Sequence, residues 1–283
     1  MSVPTQVASP PTSVSAPDPV SSPSQVTPDS EASGPATRTG GALVIGASSG
    51  MGAALVQQLA RAGWHVAALA RRTERLDALA TELSDAPGDV VVRTHDVTDA
   101  DTVPALFEDV ALAVGGLDLV IYAAGIMPNV GPDEYDTAKD HAQVDVNLKG
   151  CIAWCNEAAR LFQTQRSGSL VGISSVAGDR GRRMNPAYHA TKAAMTTYLE
   201  SLRNRLSPYG VRVVTIKPGM VETEMTADLD QLIWPVSADA AAKTILKTAQ
   251  GGLFDTRYVP LRWCAVMAVI RAIPSRIFRH LNI

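Results

Sequence analysis

A chain of 283 residues, 46% of them hydrophobic, can bury a large core, and its length lies at the upper end of what one α/β domain usually holds. The formal net charge of -3 provides no broad positive field of the kind that attracts nucleic acid, so nucleic-acid binding is not expected. The three cysteines are too few for a disulfide framework, which favours a reducing, cytoplasmic setting, and the five histidines lie singly, so no metal site is predicted.

Residues 1–40 are rich in proline, serine and threonine. They contain eight of the 18 prolines and no aromatic residue, so they cannot bury enough apolar surface to offset the entropy lost on ordering. We predict a disordered tail. The segment has no basic residue before Arg38 and no apolar run, so a secretory signal is not expected.

Beyond Gly41, short apolar runs alternate with longer amphipathic segments. Runs that are apolar throughout are typical of strands buried on both faces, and the segments between them are long enough for crossover helices. We therefore predict a single-domain Rossmann fold over residues 41–260, an α/β doubly wound parallel sheet with helices on both faces. The predicted strands are Ala42–Ile45, His65–Leu69, Val90–Thr94, Leu117–Ala123, Ser169–Ile173 and Val211–Ile216.

A glycine-rich loop follows the first predicted strand. It reads Gly46-Ala47-Ser48-Ser49-Gly50-Met51-Gly52 and leads into a segment with helical apolar spacing. Glycines at such a strand-to-helix turn let the backbone approach a pyrophosphate, which binds to the free N–H groups at the helix N-terminus. The loop therefore predicts a dinucleotide site.

The second predicted strand indicates which dinucleotide binds. NAD requires an acidic residue near the end of this strand, to bind the ribose 2′-hydroxyl, but no acid occurs between Gly52 and Glu74, and Ala70 stands in its place. Arg71 and Arg72 follow at a predicted helix start, where the helix dipole disfavours cations unless an anion neutralises them. A 2′-phosphate is such an anion, so NADP(H) is favoured over NAD(H), although two solvated surface arginines would give the same pattern.

Tyr188 and Lys192 place a phenol and an ammonium one helical turn apart. Tyr135 and Lys139 have the same spacing, but Tyr188 follows a predicted strand whose end carries a serine, Ser175. These side chains are therefore expected at the carboxyl edge of the sheet, where open α/β sheets bind ligands.

This constellation suits the reduction of a carbonyl group. Hydride addition to the carbonyl carbon leaves an alkoxide, which needs a proton donor within hydrogen-bond reach. We predict Tyr188 as this donor, with Lys192 lowering the phenol pKa from its ordinary value of about 10. Ser175 would donate to the same oxygen and hold it in position.

The combined motifs closely resemble those of the short-chain dehydrogenase/reductase family over residues 41–259. The resemblance implies a homo-oligomer, since the family is commonly dimeric or tetrameric. It also implies that an asparagine holds a water linking the catalytic lysine to solvent. The implied catalytic tetrad is Asn147, Ser175, Tyr188 and Lys192.

The resemblance further implies the contacts with the cofactor. Asp96 and Val97 would lie beside the adenine, and Lys192 beside the nicotinamide ribose. Tyr188 and Asn147 would also contact the cofactor. Other contacts would come from the glycine-rich loop, the two arginines and the segments after the fourth and sixth strands, namely Ala123, Ala124, Gly125, Pro218, Gly219, Val221 and Thr223.

The sequence departs from the family pattern at two places. Ile45 and the pair Tyr122-Ala123 stand where family members usually have a threonine and an asparagine-containing pair. In the family these polar groups brace the first strand against the fourth, so apolar packing is expected here instead.

The substrate side leaves alternatives open. Arg180, Arg182 and Arg183 precede Tyr188 and would either receive an anionic carrier such as an acyl thioester or form a solvated loop. Apolar residues also follow Thr223, where the family has its substrate lid. They predict either a cover over a lipophilic carbonyl compound or ordinary packing on the sheet, and they are Met225, Leu229, Leu232, Ile233 and Trp234.

Residues 261–283 form a cationic extension. They contain four arginines and no acid, and their apolar core is shorter than the ~20 residues that a spanning helix needs. Such an amphipathic element can lie on a membrane surface, fold over the pocket or join a subunit interface. The sequence leaves these three roles open.

Three functions are compatible with these features. The leading interpretation is NADPH-dependent interconversion of a carbonyl and a secondary alcohol on a lipophilic small molecule, in the cytoplasm or at a membrane surface. A 3-oxoacyl thioester reductase is supported by the arginine cluster alone. A non-catalytic dinucleotide sensor is disfavoured because all four catalytic residue types are present.

Overall fold

The computed structural model of the chain describes residues 39–227 and 232–281. Nearly all of the predicted disordered tail at 1–40, and Leu229 of the predicted lid, lie outside these ranges. From Gly41 onward the described residues alternate between strand and helix, which is the pattern that the apolar runs predict.

The central sheet has seven parallel strands in the order β3-β2-β1-β4-β5-β6-β9. A separate two-stranded sheet pairs β7 with β8. The strand order reverses between β1 and β4, so a crevice opens at the carboxyl ends of these two strands. The strands are β1 Gly41–Ile45, β2 His65–Ala70, β3 Val90–Thr94, β4 Leu119–Tyr122, β5 Ser169–Ile173, β6 Arg212–Pro218, β7 Val221–Glu222, β8 Val236–Ser237 and β9 Thr256–Val259.

Helices cover both faces of the central sheet, which confirms the predicted single-domain Rossmann fold. Alternate residues of β1 show the two cores, because Ala42 and Val44 pack with α1, α2 and α7, whereas Leu43 and Ile45 pack with α3, α5 and α6. The helices are α1 Gly50–Arg61, α2 Thr73–Glu82, α3 Val103–Ala113, α4 Thr137–Val144, α5 Cys151–Gln165, α6 Pro186–Leu206, α7 Ala238–Gln250, α8 Arg262–Ala272 and α9 Ser275–Phe278.

The six predicted strands all form, although the fourth is shorter than expected. The apolar runs do not reveal β9, which in the described part of the chain pairs with β6 alone, at the edge of the sheet. Three of its four residues are only partly buried and its sequence, Thr-Arg-Tyr-Val, mixes polar and apolar side chains. An edge strand has no need of the continuous apolar run that identifies a central one.

The packing between β1 and β4, where the sequence departs from the family pattern, is only partly apolar. Ile45 and Tyr122 are neighbours in the sheet register and are fully buried. The Tyr122 hydroxyl donates a hydrogen bond of 2.6 Å to the carbonyl oxygen of Val146. A Cβ at Gly150 would lie 2.6 Å from the same hydroxyl, so the glycine makes room for the phenol. The expected loss of a polar brace is thus offset by a buried hydrogen bond.

Candidate active site

The glycine-rich loop turns sharply between β1 and α1. Gly46 has a φ of +91°, and a Cβ there would lie 2.5 Å from the backbone nitrogen of Ala124. A Cβ on Gly52 would lie 2.0 Å from the carbonyl oxygen of Gly46. Glycine at both positions lets the loop close tightly and leaves a cradle of backbone at the N-terminus of α1, where a pyrophosphate fits.

A groove of about 200 Å³ extends from this loop across the carboxyl ends of β2, β3 and β4. We call it the cofactor groove. Asp96 is not part of its lining, because its carboxylate accepts hydrogen bonds from the backbone and hydroxyl of Thr98 and lies 3.7 Å from Arg71. The predicted residues that do line the groove are Gly46, Ser48, Ser49, Gly50, Met51, Gly52, Arg71, Arg72, Val97, Ala123, Ala124, Gly125 and Thr223.

Arg72 points into the glycine-rich loop. Its guanidinium donates to the hydroxyls of Ser48 at 3.0 Å and Ser49 at 2.7 Å, and forms a 3.0 Å ion pair with Glu224. Arg75 pairs with the same carboxylate. Hydrogen bonds from Arg72 and Arg75 lower the pKa of Glu224. The groove therefore holds a cationic cluster that already carries one bound carboxylate.

A second cavity of about 330 Å³ meets the cofactor groove, and we call it the catalytic chamber. Tyr188 and Lys192 of α6 and Ser175 after β5 all line it, so the three predicted catalytic side chains converge. The groove and the chamber share their lining at Met51, Ala123, Gly125, Thr223 and Met225. A ligand in the groove can therefore reach the catalytic side chains.

The catalytic side chains are nearly buried. The Lys192 ammonium donates to the carbonyl oxygen of Ile173 at 2.9 Å and lies 5.8 Å from the centre of the Tyr188 ring. The Ser175 hydroxyl accepts from the backbone N–H of Ala177 at 3.0 Å and donates a long hydrogen bond of 3.5 Å to the carbonyl oxygen of Pro218, which a ligand in the chamber can replace. Tyr135, the alternative tyrosine, is 94% exposed and lines neither the cofactor groove nor the catalytic chamber.

Burial changes the proton affinities of this pair. The predicted fall in the phenol pKa is wrong, because burial raises the pKa of Tyr188 and a hydrogen bond with Ser175 only partly opposes it. Burial also lowers the pKa of Lys192 to about 8. The ammonium is itself destabilised in the low-dielectric interior, so its effect on the phenol is not the dominant one.

Asn147 lies in a π-helical turn, Asp145–Gly150, between α4 and α5. It is fully buried, and its side chain accepts from the backbone N–H of Ile126 at 2.8 Å and donates to the carbonyl oxygen of the same residue at 3.0 Å. A Cβ on Gly125 would lie 3.3 Å from the Asn147 oxygen and 3.5 Å from the Lys192 nitrogen. The asparagine is therefore close to the lysine, although it lines neither cavity.

The segment after β6 forms one wall of the chamber. Pro218, Gly219, Val221 and Thr223 all line it, as the resemblance implies. The side chain of Thr223 also contacts the glycine-rich loop, since a Cβ on Gly50 would lie 3.0 Å from its methyl carbon. This wall joins the cofactor groove to the chamber.

The predicted lid contributes less than its composition suggests. Met225 lines the chamber, but Ile233 and Trp234 are about half exposed. Trp234 packs edge to face on Trp263 of α8, at 5.8 Å between ring centres, and Trp263 itself lines the chamber. Of the three roles open to the C-terminal extension, folding over the pocket is the one these contacts support. Within residues 39–227 and 232–281, no helix is long and apolar enough to cross a membrane.

A buried ion pair supports the wall of the chamber. Lys217 pairs with Asp179, and the Tyr258 hydroxyl donates to the other carboxylate oxygen of Asp179 at 2.7 Å. Asp179 ends the short helical turn that follows Ser175, whereas Lys217 and Tyr258 belong to β6 and β9. The network thereby connects the serine segment to the edge of the sheet.

Several residues of the site are absent from the sequence predictions. His95 lines the cofactor groove, where its ring packs on Trp154 at 5.2 Å between centres and burial lowers its pKa. Glu224 and Trp263 owe their positions to tertiary contacts, so no local pattern identifies them. The one available signal is the position of His95 directly before the predicted adenine contact.

Comparison with protein families agrees with this geometry. Residues 41–233 match the family described as short chain dehydrogenase. The chain belongs to the short-chain dehydrogenase/reductase family. It is an oxidoreductase, and the family binds NAD(P), which fits the cradle and the cationic cluster of the cofactor groove.

Individual relatives support the same assignment. A protein of Mycobacterium tuberculosis (strain ATCC 25618 / H37Rv), described as an uncharacterized oxidoreductase, is 32% identical over 242 residues, which cover 84% of this chain and 95% of the relative. An uncharacterized oxidoreductase of Myxococcus xanthus (strain DK1622) is 39% identical over 184 residues, 65% of this chain and 73% of that protein.

Solved structures show the same fold. A short-chain type dehydrogenase/reductase from Mycobacterium ulcerans superposes with a TM-score of 0.71 at 24% identity, covering 78% of this chain and 88% of that one. A variant of actinorhodin polyketide ketoreductase, solved with NADPH, gives a TM-score of 0.69 at 23% identity, covering 77% and 94% of the two chains.

Proposed function

We propose that this protein is an NADPH-dependent reductase that interconverts a carbonyl and a secondary alcohol on a lipophilic small molecule. The observation that carries the proposal is the convergence of Tyr188, Lys192 and Ser175 in a chamber that opens into the cofactor groove. A phenol, an ammonium and a hydroxyl at one point supply proton transfer and orientation, and the adjoining groove provides for a nicotinamide ring.

The choice of NADPH rests on the arginines of the groove. Arg72 already binds the Glu224 carboxylate and two loop hydroxyls, so it is placed to bind an anionic oxygen. The segment at the end of β2 supplies no acid that would repel a 2′-phosphate. Arg71 lies beside Arg72 in the lining and adds a second positive charge.

The roles of the side chains follow from their positions. A bound nicotinamide cofactor would supply the hydride. Tyr188 would donate its proton to the carbonyl oxygen, because its hydroxyl faces the chamber and its raised pKa keeps it protonated at neutral pH. Ser175 would donate to the same oxygen. Lys192 would bind the ribose and return a proton to the phenol, and a pKa of about 8 suits both giving and taking a proton.

Asn147 would complete the proton path. Its oxygen lies next to the Lys192 nitrogen across Gly125, and its remaining contacts are with Ile126 and Thr191. The π-helical turn opens the backbone at this point, a feature often found at functional sites.

The lining of the chamber favours a lipophilic substrate. Five methionines line it, together with Val176 and Trp263. Methionine side chains are flexible and apolar, so they adapt to bulky hydrocarbon groups. As in the rest of the family, a homo-oligomer is expected.

A comparison of two tyrosine variants tests the proposal. With NADPH and a panel of lipophilic ketones, we expect Tyr188→Phe to lower kcat by roughly 10² to 10⁴, the range for losing a general acid, while NADPH binding persists. Tyr135→Phe is the matched control, because Tyr135 has the same spacing to a lysine but is exposed, and it should leave turnover unchanged. Equal turnover in wild type and Tyr188→Phe would reject the proposed acid. No turnover of any ketone by wild type would favour a dinucleotide sensor.

A further inference from the structure

A third cavity, of about 530 Å³, lies between the segment before α6 and the C-terminal extension. We call it the arginine cavity. One wall is formed by residues 180–183, and the other by part of the extension. The second wall consists of Ser275, Phe278, Arg279, His280 and Leu281.

The two walls are held together by Arg180. Its guanidinium donates to the carbonyl oxygens of Ile270 and, at 2.6 Å, Ile273, and lies 3.8 Å from the centre of the Phe278 ring. These contacts satisfy the carbonyls at the end of α8. Arg180 is therefore a structural part of the cavity, and its Nη1 atom is already engaged by these carbonyls.

The other cations of the cavity lack strong counter-ions. Arg183 lies 3.8 Å from Asp133, but both side chains are largely exposed, so this pair is weak. Arg182 and Arg279 form no ion pair with any residue in the described ranges 39–227 and 232–281. The nearby carboxylate of Asp179 is already engaged by Lys217 and Tyr258.

Arg182 also lines the catalytic chamber, so the two cavities meet at its side chain. Among the residues that the structure describes, its buried Nε atom has no hydrogen-bond partner, and its Nη2 atom has only the weak acceptor sulfur of Met267, at 3.9 Å. A partly buried guanidinium with free donors is costly unless an anion binds to it. The natural partner is a planar or tetrahedral oxyanion, which a guanidinium binds in a bidentate manner.

We propose that the arginine cavity binds an anionic group, a carboxylate or a phosphate, on the far end of the substrate whose carbonyl lies in the catalytic chamber. The substrate class is then an amphiphilic ketone with an acidic group, bound by Arg182 and Arg279. The statement about the carbonyl end rests on the proposed function, whereas the anion site does not depend on it. The C-terminal extension would be part of the substrate site.

Binding of simple amphiphiles tests the anion site without turnover. In protein saturated with NADPH, tryptophan fluorescence would be titrated with dodecanoate, dodecyl phosphate and dodecanol. We expect both anions to bind at least about tenfold more tightly than the alcohol, because only the anions form charge-assisted hydrogen bonds with the guanidinium groups. The tighter of the two anions identifies the favoured acidic group.

Variants test whether the arginine cavity is the cause of the preference for anions over the alcohol. Arg182→Gln and Arg279→Ala should each weaken anion binding by about tenfold while leaving dodecanol unchanged, and Arg182→Lys should restore part of it. Arg276→Ala is the matched control, since Arg276 lies in the same extension but does not line the cavity. Equal affinity for anions and alcohol, or equal losses in Arg279→Ala and Arg276→Ala, would overturn the proposal.

Turnover separates this proposal from the proposed function. A long-chain keto acid and its methyl ester would be compared as substrates, and we expect kcat/KM to favour the acid by about tenfold, a preference that Arg182→Gln removes. Turnover of both compounds at equal kcat/KM would contradict the anion site and leave the reductase intact. Anion binding without any turnover would contradict the reductase and leave the anion site intact.

Discussion

The cofactor groove and the catalytic chamber differ in whether their positively charged side chains have counter-ions. In the groove, Arg72 and Arg75 share the carboxylate of Glu224, so each cation has a partner before any ligand arrives. In the chamber, Lys192 is almost fully buried and forms no ion pair with any described residue. The arginines of the groove are thus paired with a carboxylate of the protein, whereas the buried ammonium of the chamber has only the carbonyl oxygen of Ile173 as a hydrogen-bond partner among the described residues.

This difference indicates where stability has been given up for activity. Cradles of backbone and paired surface charges cost little, because water and counter-ions solvate them. A buried ammonium without a counter-ion is costly, and such groups persist where the chemistry needs them. Four substitutions would break or sharpen this contrast.

The largest effect is expected in the groove, from Gly52→Ala. The added Cβ would lie 2.0 Å from the carbonyl oxygen of Gly46, so the loop must open and NADPH should bind about tenfold to hundredfold more weakly. Gly251→Ala is the control, because a Cβ there meets no atom within 4 Å. Calorimetric titration with NADPH measures both. A Gly52→Ala protein with unchanged affinity would show that the cradle is not the pyrophosphate site.

In the chamber, Lys192→Met should stabilise the protein. The folded-state pKa of Lys192, about 8, lies below its ordinary 10.5, so the penalty for burying the charge is fully present below pH 8 and disappears as pH rises through 10.5. We expect the free energy of unfolding to rise by up to about 3 kcal/mol at pH 7, since a tenfold change in proton affinity corresponds to about 1.4 kcal/mol. The gain should shrink as pH rises above 8.

Urea denaturation at several pH values measures this gain. Lys139→Met is the matched control, because Lys139 is partly exposed and already paired with Glu134, and it should give no gain. A loss of stability in Lys192→Met at every pH would mean that the hydrogen bond to Ile173 outweighs the cost of the buried charge.

A smaller effect, on the free energy of unfolding, is expected from Tyr122→Phe in the buried strand β4. The change leaves the carbonyl oxygen of Val146 without its 2.6 Å donor inside the protein, which should cost about 1–2 kcal/mol of unfolding free energy. Because Val146 is part of the π-helical turn that carries Asn147, turnover should also fall slightly. Thermal and urea unfolding would measure the first effect, and unchanged stability would mean that another donor replaces the phenol.

The smallest effect is expected from Glu224→Gln. Removing the carboxylate frees Arg72 and Arg75 for the 2′-phosphate, so NADPH should bind up to about fivefold more tightly, as expected for an exposed ion pair. NADH, which lacks this phosphate, should gain little. Weaker NADPH binding in Glu224→Gln would mean that the carboxylate orders the arginines for the cofactor instead of competing with it.

In both the groove and the chamber, the sequence predicts the parts that are contiguous in the chain better than the parts that folding brings together. The cradle consists of one contiguous loop, and the Tyr188 and Lys192 pair lies within two turns of one helix, so short patterns carry both. The far wall of the chamber comes from Trp263, and Glu224 reaches Arg72 across 152 residues of sequence. No local rule connects residues so far apart.

The pKa shifts of Tyr188 and Lys192 could not be predicted from the sequence for a related reason. Spacing alone predicts that Lys192 lowers the pKa of Tyr188, but the direction of the pKa shift depends on how deeply both groups are buried. Burial is a property of the complete core, which includes β9, a strand that the apolar pattern does not reveal.

Trp263 follows all the catalytic residues in the chain, and this order affects how the chamber is completed during folding. During synthesis the N-terminal part of the chain emerges first, so the strands and helices that form the nucleotide cradle are available well before α8. A nascent or truncated chain ending near residue 260 would contain every catalytic side chain but not the indole wall of the chamber. Such a chain would contain the nucleotide cradle while leaving the catalytic side chains open to water.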